Sequence, residues 1–156
     1  DAARAYRGVV PDHFWHEPYM NRNELTNEIQ DGTQFWGWEQ NGLLHGVMGI
    51  QDKSDVSLIR HAYVRTKVRN QGIGTRLLRH MEKETLEPVL IGTWAQATWA
   101  IAFYQKNGYQ LVLGMEKDRL LKKYWTISKE QIAASVVLAD TKYVNREHPE
   151  IHIADH

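Results

Sequence analysis

Two apolar runs, TQFWGWEQ and LLHGVMGIQ, are joined by the dipeptide Asn41-Gly42. Both turn residues tolerate the positive φ that a two-residue connection needs, and a turn of that hand matches the twist of two antiparallel strands. The chain is thereby committed to a β-hairpin, and its other segments must fold around it. After the polar turn DKSD, the stretch VSLIRHAYV is β-branched and aromatic enough for a third strand ending near Val64.

Helical spacing takes over beyond that strand. Ile73, Leu77, Leu78, Met81 and Thr85 fall on one face while Arg76, Arg79, Glu82 and Lys83 fall elsewhere, which predicts an amphipathic helix stopped by Pro88. VLIGTW reads as a short buried strand, and TWAIAFYQKNG as a helix closing on Gly108, a position that favours positive φ. YQLVL is then expected as a strand, EKDRLLKKYW as a surface helix and ASVVLA as a last strand, with DTKYVNREHPEIHIADH as a tail. Ahead of the hairpin, DAARAYRG suggests a short helix ending at Gly8. NRNELTNEIQDG suggests a second, with Asn23 as N-cap, Leu25 and Ile29 one turn apart and Gly32 as its stop. The pattern is that of an α/β (α+β) fold built on a mixed sheet.

With 156 residues the chain has the size of one ordinary domain. Its 19 basic residues balance 19 acidic ones, so it lacks the global positive field that dominates nonspecific nucleic-acid binding. The absence of cysteine excludes disulfides, thiolate metal sites and any acyl-cysteine intermediate on this chain. There is neither a long apolar window nor a charged-then-apolar leader, and a cytoplasmic location is the default expectation.

The stretch RNQGIGTRLL, between the third strand and the amphipathic helix, carries the chemical signal. Gly72 and Gly74 would let backbone N–H groups approach an anion where a helix begins, with Arg69 adding charge. It is not a dinucleotide fingerprint, because Leu77 stands where the third glycine belongs, and no Lys-Ser/Thr pair completes a P-loop. On its own, Gly-x-Gly fits a tight turn as well as an anion cradle.

Its neighbours favour the cradle. VRTKVRNQGIGTRLL resembles the R/Q-x-x-G-x-G/A signature of the GNAT superfamily of N-acetyltransferases, with Arg69, Gly72 and Gly74 in the defining places. About thirty residues on, AIAFYQKNGY resembles the superfamily segment A-x-x-F-Y-x-x-x-G-F through Phe103, Tyr104, Gly108 and Tyr109. The resemblance covers roughly residues 1–139, leaving 140–156 as a C-terminal tail. It implies a mixed, mostly antiparallel central sheet flanked by helices, with a splay between the fourth and fifth family strands. The family opens on a strand, whereas this sequence opens inside the following helix. The first family strand is therefore unaccounted for, through either a missing leading segment or an altered sheet edge.

The resemblance also implies a cosubstrate, acetyl-coenzyme A. Its pantetheine would bond the backbone of Ala62, Tyr63 and Val64, and its pyrophosphate would rest on Arg69, Asn70, Gln71, Gly72, Ile73, Gly74 and Thr75. Phe103 and Tyr104 would complete the binding residues. Acetyl would pass directly to a primary amine of a small molecule or peptide. Tyr104 matches the tyrosine that protonates the departing sulfur in many members, and a backbone N–H near Val64 would polarise the thioester carbonyl. From spacing alone, a core aromatic beside Phe103 is the better reading of Tyr104.

An alkylamine with a pKa of about 10 must lose a proton before it attacks. Some members carry a glutamate early in the third strand; Leu58 and Ile59 stand there instead. His61 is the candidate base, since a histidine titrates near neutrality, with a structural strand histidine as the plain alternative. Glu39 and a water relay are further candidates. Ala97 occupies a position where many members have asparagine, and Gln96 or Thr98 are the available substitutes.

Trp15, Tyr19, Trp36 and Trp38 are the candidate acceptor-site residues, able to line an apolar pocket or offer cation–π contacts to an amine, or else simply to pack the hairpin against the early helices. His13, His16, His148, His152 and His156 have suggestive spacings, but no metal site is assigned. The expected partners are acetyl-coenzyme A and an amine acceptor, without nucleic acid or membrane, and a homodimer is compatible with the sequence. The cluster Arg65, Lys67, Arg69, Arg76 and Arg79 is as well explained by the coenzyme's phosphates as by a nucleic acid. A non-catalytic acyl-coenzyme A-binding module of the same fold is the alternative function.

Overall fold

The hairpin forms where Asn41-Gly42 dictates. In a computed structural model describing residues 29–64 and 72–150, β1 (Thr33–Gln40) and β2 (Leu43–Asp52) pair antiparallel around Asn41 at φ 54° and Gly42 at φ 77°. The third strand, β3 (Ser57–Val64), follows a turn in which Ser54 has φ 76°. Ile29 and Gln30 are helical and the chain turns at Gly32, φ 92°, as expected for a helix stop. Asn23, Leu25, the first expected helix and the expectation about the leading family strand all lie outside the described residues.

The elements that follow are α1 (Ile73–Lys83), β4 (Val89–Trp94), α2 (Thr98–Lys106), β5 (Gln110–Val112), α3 (Gly114–Tyr124), α4 (Lys129–Ala133), β6 (Ser135–Ala139) and α5 (Thr141–Glu147). They form a mixed α/β fold with six strands, mostly antiparallel in their pairing, flanked by helices. The chain divides into two compact units, Asp1–Asp52 with Ile59–Leu86, and Lys53–Leu58 with Glu87–His156.

In the first unit the strand order is β1-β2-β3, and α1 buries Ile73, Leu77, Leu78 and Met81. Burial of this kind contributes roughly 2 kcal/mol per side chain. The helix stops at Lys83, capped by the Glu84 N–H on the Met81 carbonyl, well before Pro88. The expected extension through Thr85 is therefore absent, because the apolar stripe ends at Met81.

In the second unit the start of β3 is followed by β4, β6 and β5, with the Ser57 N–H donating to the Pro88 carbonyl at 2.8 Å. Every residue of β6 is buried, which accounts for the apolar run Val136–Ala139 that follows Ser135. Helix α3 is more than the surface helix expected: Leu120, Leu121 and Tyr124 enter the core beside Leu90 and Val137. Its C-terminal neighbour Trp125 lies over β4 at Gly92, where a β-carbon would come within 3.0 Å of the indole.

Two helices are not among the elements expected from the sequence. The Ser128 hydroxyl caps α4 by accepting the Gln131 N–H at 3.1 Å, a Ser-x-x-Gln pattern that signals a helix start. Asp140 caps α5 by accepting the Tyr143 N–H at 2.9 Å. The segment expected as a tail thus begins with a helix whose Tyr143 and Val144 are buried.

Candidate functional site

Gly72 opens α1 with φ 77° and ψ 9°, a left-handed conformation that glycine adopts without steric cost. Glycine offers no side chain to cap the helix, and no acidic residue occupies its first turn. By helix geometry the N–H groups of Ile73, Gly74 and Thr75 have no partner inside the helix. Partial positive charge therefore gathers at this end, and an anion such as a pyrophosphate fits it. Arg69, Asn70 and Gln71 of the expected cradle lie outside the described residues.

The seat of this helix end is set by another glycine. A β-carbon on Gly46 in β2 would stand 3.0 Å from Cγ2 of Ile73, 3.2 Å from Cδ1 of Leu77 and 3.3 Å from the carbonyl oxygen of Tyr63. The start of α1 and the end of β3 thus converge on one bare backbone position. Ala62, Tyr63 and Val64, the expected pantetheine contacts, are partly exposed on β3.

His61 has φ 53°, left-handed backbone within a strand. For a residue with a β-carbon this costs on the order of 1 kcal/mol, and such outliers concentrate at functional sites. Its imidazole stacks on Phe35, centroids 6.1 Å apart at 29°. Trp36 and Trp38 are directed elsewhere: Trp36 meets His80 of α1 edge-on at 4.5 Å, and the Arg76 guanidinium lies 5.2 Å above Trp38. Both tryptophans therefore pack on α1, on the face away from Phe35 by strand alternation. His61, stacked on Phe35, is on the other face. Trp15 and Tyr19 lie outside the described residues. Of the basic cluster, Arg76 is taken up by Trp38, and Arg79 pairs with Glu82 at 2.8 Å.

In the second unit, the AIAFYQKNGY segment is a helix ending in a Schellman motif. The Gly108 N–H donates to the Gln105 carbonyl at 3.1 Å and the Tyr109 N–H to the Tyr104 carbonyl at 3.0 Å, with Gly108 at φ 98°. The Tyr104 and Tyr109 rings supply the apolar contact that accompanies this motif, 6.0 Å apart and edge to face. The Asn107 side chain adds a bond to the Phe103 carbonyl at 2.8 Å. Glycine and the aromatic after it thus terminate the helix and lock Tyr104, which is only 6% exposed. Ala97 is buried at the N-cap of α2 while Gln96 and Thr98 are exposed.

Residues 31–111 match the family described as the acetyltransferase (GNAT) domain, a span that includes the α1 cradle and the α2 motif. The chain belongs to the GNAT acetyltransferase family. Solved structures agree on this GNAT fold. The PaiA N-acetyltransferase from Thermoplasma acidophilum in complex with coenzyme A has a TM-score of 0.64 at 17% identity, covering 88% of this chain and 84% of its own. A GNAT family acetyltransferase from Elizabethkingia anophelis with acetyl-CoA bound has a TM-score of 0.57 at 17% identity, covering 77% and 82%. The ribosomal-protein-S18-alanine N-acetyltransferase from Escherichia coli has a TM-score of 0.57 at 15% identity, covering 90% and 88%. No curated protein sequence matches this GNAT chain. Among the described residues, no helix is long and apolar enough to cross a membrane, and no group of three or more His, Asp or Glu could hold a metal ion.

Proposed function

We propose that this GNAT member is an acetyl-coenzyme A-dependent N-acetyltransferase that transfers acetyl directly to a primary amine of a small molecule or peptide. The observation that carries the reading is the glycine-opened, uncapped N-terminus of α1. Coenzyme A in the Thermoplasma structure and acetyl-CoA in the Elizabethkingia structure support the choice of cosubstrate, and the alanine N-acetyltransferase supports an amine acceptor.

Bound acetyl-coenzyme A supplies an activated thioester. The cradle N–H groups of Gly72, Ile73, Gly74 and Thr75 hold its pyrophosphate, with Arg69, Asn70 and Gln71 before them. Backbone groups of Ala62, Tyr63 and Val64 hold the pantetheine, and the Val64 N–H polarises the carbonyl as negative charge develops on its oxygen. His61 takes a proton from the acceptor ammonium, and the Tyr104 hydroxyl donates one to the departing sulfur. Leu58 and Ile59, 0% and 4% exposed, leave no carboxylate at the start of β3 to compete for the base role.

Coenzyme A release with a panel of amines tests the proposal. The protein contains no cysteine, so a thiol reagent reports coenzyme A alone. Amine-dependent release with a matching acetylated product is expected. Acetyl-coenzyme A binding without release for any acceptor, hydrolysis included, would overturn the enzymatic reading in favour of a non-catalytic binding module.

A further inference from the structure

Outside the proposed site, the second unit contains a cluster of titratable groups that join two helices. The Glu116 carboxylate, in the first turn of α3, accepts the Tyr143 hydroxyl of α5 at 3.0 Å and faces His148 Nε2 at 2.7 and 2.8 Å through its two oxygens. His148 Nδ1 faces Glu150 at 3.3 Å. An ionised carboxylate only accepts hydrogen bonds, so a ring nitrogen facing one must carry a hydrogen, and a neutral imidazole has only one such hydrogen. Both contacts of His148 are satisfied together only by the imidazolium.

The positions of these groups make the proton consequential. Tyr143 is 1% exposed and anchors Glu116 to the core whatever the state of His148. His148 is the C-cap of α5, with its N–H on the Val144 carbonyl at 2.7 Å, so its side chain ties the end of that helix to α3. We propose that Glu116, Tyr143 and His148 form a proton-operated latch, which fastens the end of α5 and the following residues to α3 in mildly acidic solution and loosens in alkaline solution.

The surrounding charges agree with this arrangement. The hydrogen bond to Glu116 holds the His148 pKa above its ordinary 6.5, against a smaller opposing effect of burial. Burial pushes Glu116 up, but the bonds from His148 and Tyr143 and the charges of His148 and Arg119 outweigh it, holding Glu116 below its ordinary 4.5. Burial, reinforced by Glu116, pushes Tyr143 up to about 12, so it stays a donor throughout. The other nearby charges are engaged: Lys117 with Asp118, and Arg146 with Glu147 and over the Tyr143 ring.

The sign follows. The raised His148 pKa stabilises the latch fully below 6.5, an effect lost as pH rises through the higher folded value. The lowered Glu116 pKa stabilises it above 4.5, an effect lost as pH falls through the lower folded value. The latch is strongest between these limits.

The test combines NMR titration of the His148 ring with amide exchange of residues 143–150, normalised at each pH to core amides of β6. His148 should titrate above 6.5. The protection ratio should fall roughly two- to fivefold from pH 5.5 to pH 8.5, the effect of a partly exposed ion pair. His148→Gln should remove this pH dependence, and Glu116→Gln should return the ring to the ordinary histidine range. A ring titrating at or below 6.5, or a protection ratio independent of pH in the wild type, overturns the latch. Both of these readings need only the wild type, so a variant that fails to fold leaves the test intact.

Discussion

Cγ2 of Ile73 lies 3.0 Å from the place a β-carbon on Gly46 would occupy, so α1 is seated on β2 through an absent side chain. Gly46→Val should force Ile73 and Leu77 outward and move the bare helix end relative to Tyr63. Overpacking of this kind costs about 1–3 kcal/mol. Acetyl-coenzyme A affinity, measured by calorimetry on the folded variant, should weaken about tenfold, or ~1.4 kcal/mol. Unchanged affinity in a destabilised variant would show that the cradle does not depend on this seat.

Gly108 closes α2 at φ 98°, and a β-carbon placed on it would meet no atom within 4 Å, so a substitution there encounters backbone strain and not crowding. Gly108→Ala should cost about 1 kcal/mol. Gly108→Asn should cost less, because asparagine enters the left-handed region more readily. Thermal unfolding gives the order: wild type, Asn, Ala. Equal midpoints for Asn and Ala would remove the conformational explanation.

The proposed role of Tyr104 is separable from its packing. Tyr104→Phe keeps the edge-to-face contacts with Phe103 and Tyr109 and removes only the hydroxyl. A thiol is a tolerable leaving group, so kcat should fall only about ten- to hundredfold, at or below the low end of general-acid effects. Acetyl-coenzyme A binding should stay constant. An unchanged kcat would assign Tyr104 to the core alone.

The Tyr124 hydroxyl donates to Asp55 at 2.7 Å, and Lys123 stands 3.5 Å from the same carboxylate. The Tyr124 bond is the main reason Asp55 is held below its ordinary 3.8, with the Lys123 charge adding to it. Stability from a lowered carboxylate pKa is fully present above 3.8 and disappears as pH falls through the folded value. The Asp55 side chain is about half exposed, so Asp55→Asn should cost only about 1 kcal/mol at pH 7. Urea midpoints measured from pH 2 to 7 should converge with those of the wild type at the acid end. A gap that persists at pH 2 would mean that the loss is one of packing.

The elements readable from the sequence are those whose signals are local. Asn41-Gly42 encodes its turn through two backbone conformations, and Gly108 with Tyr109 encodes a helix end through three neighbouring residues. The signals at Ser128 with Gln131 and at Asp140 are equally local but easily passed over, because short helices of five and seven residues carry too few turns to show an apolar period. Trp36 and Trp38 are identifiable as aromatic but not as neighbours of α1. That partnership depends on which face of β1 the helix covers.

By itself, then, the sequence determined the hairpin, the glycine-opened start of α1, the capped end of α2 and the family to which they point, since each follows from dihedral preference and spacing within about a dozen residues. Tertiary structure alone decided that Gly46 seats Ile73, that Tyr124 meets Asp55 across 69 residues, and that His148 closes on Glu116 across 32. Those contacts depend on where whole elements come to rest, and the packing of their buried faces settles it.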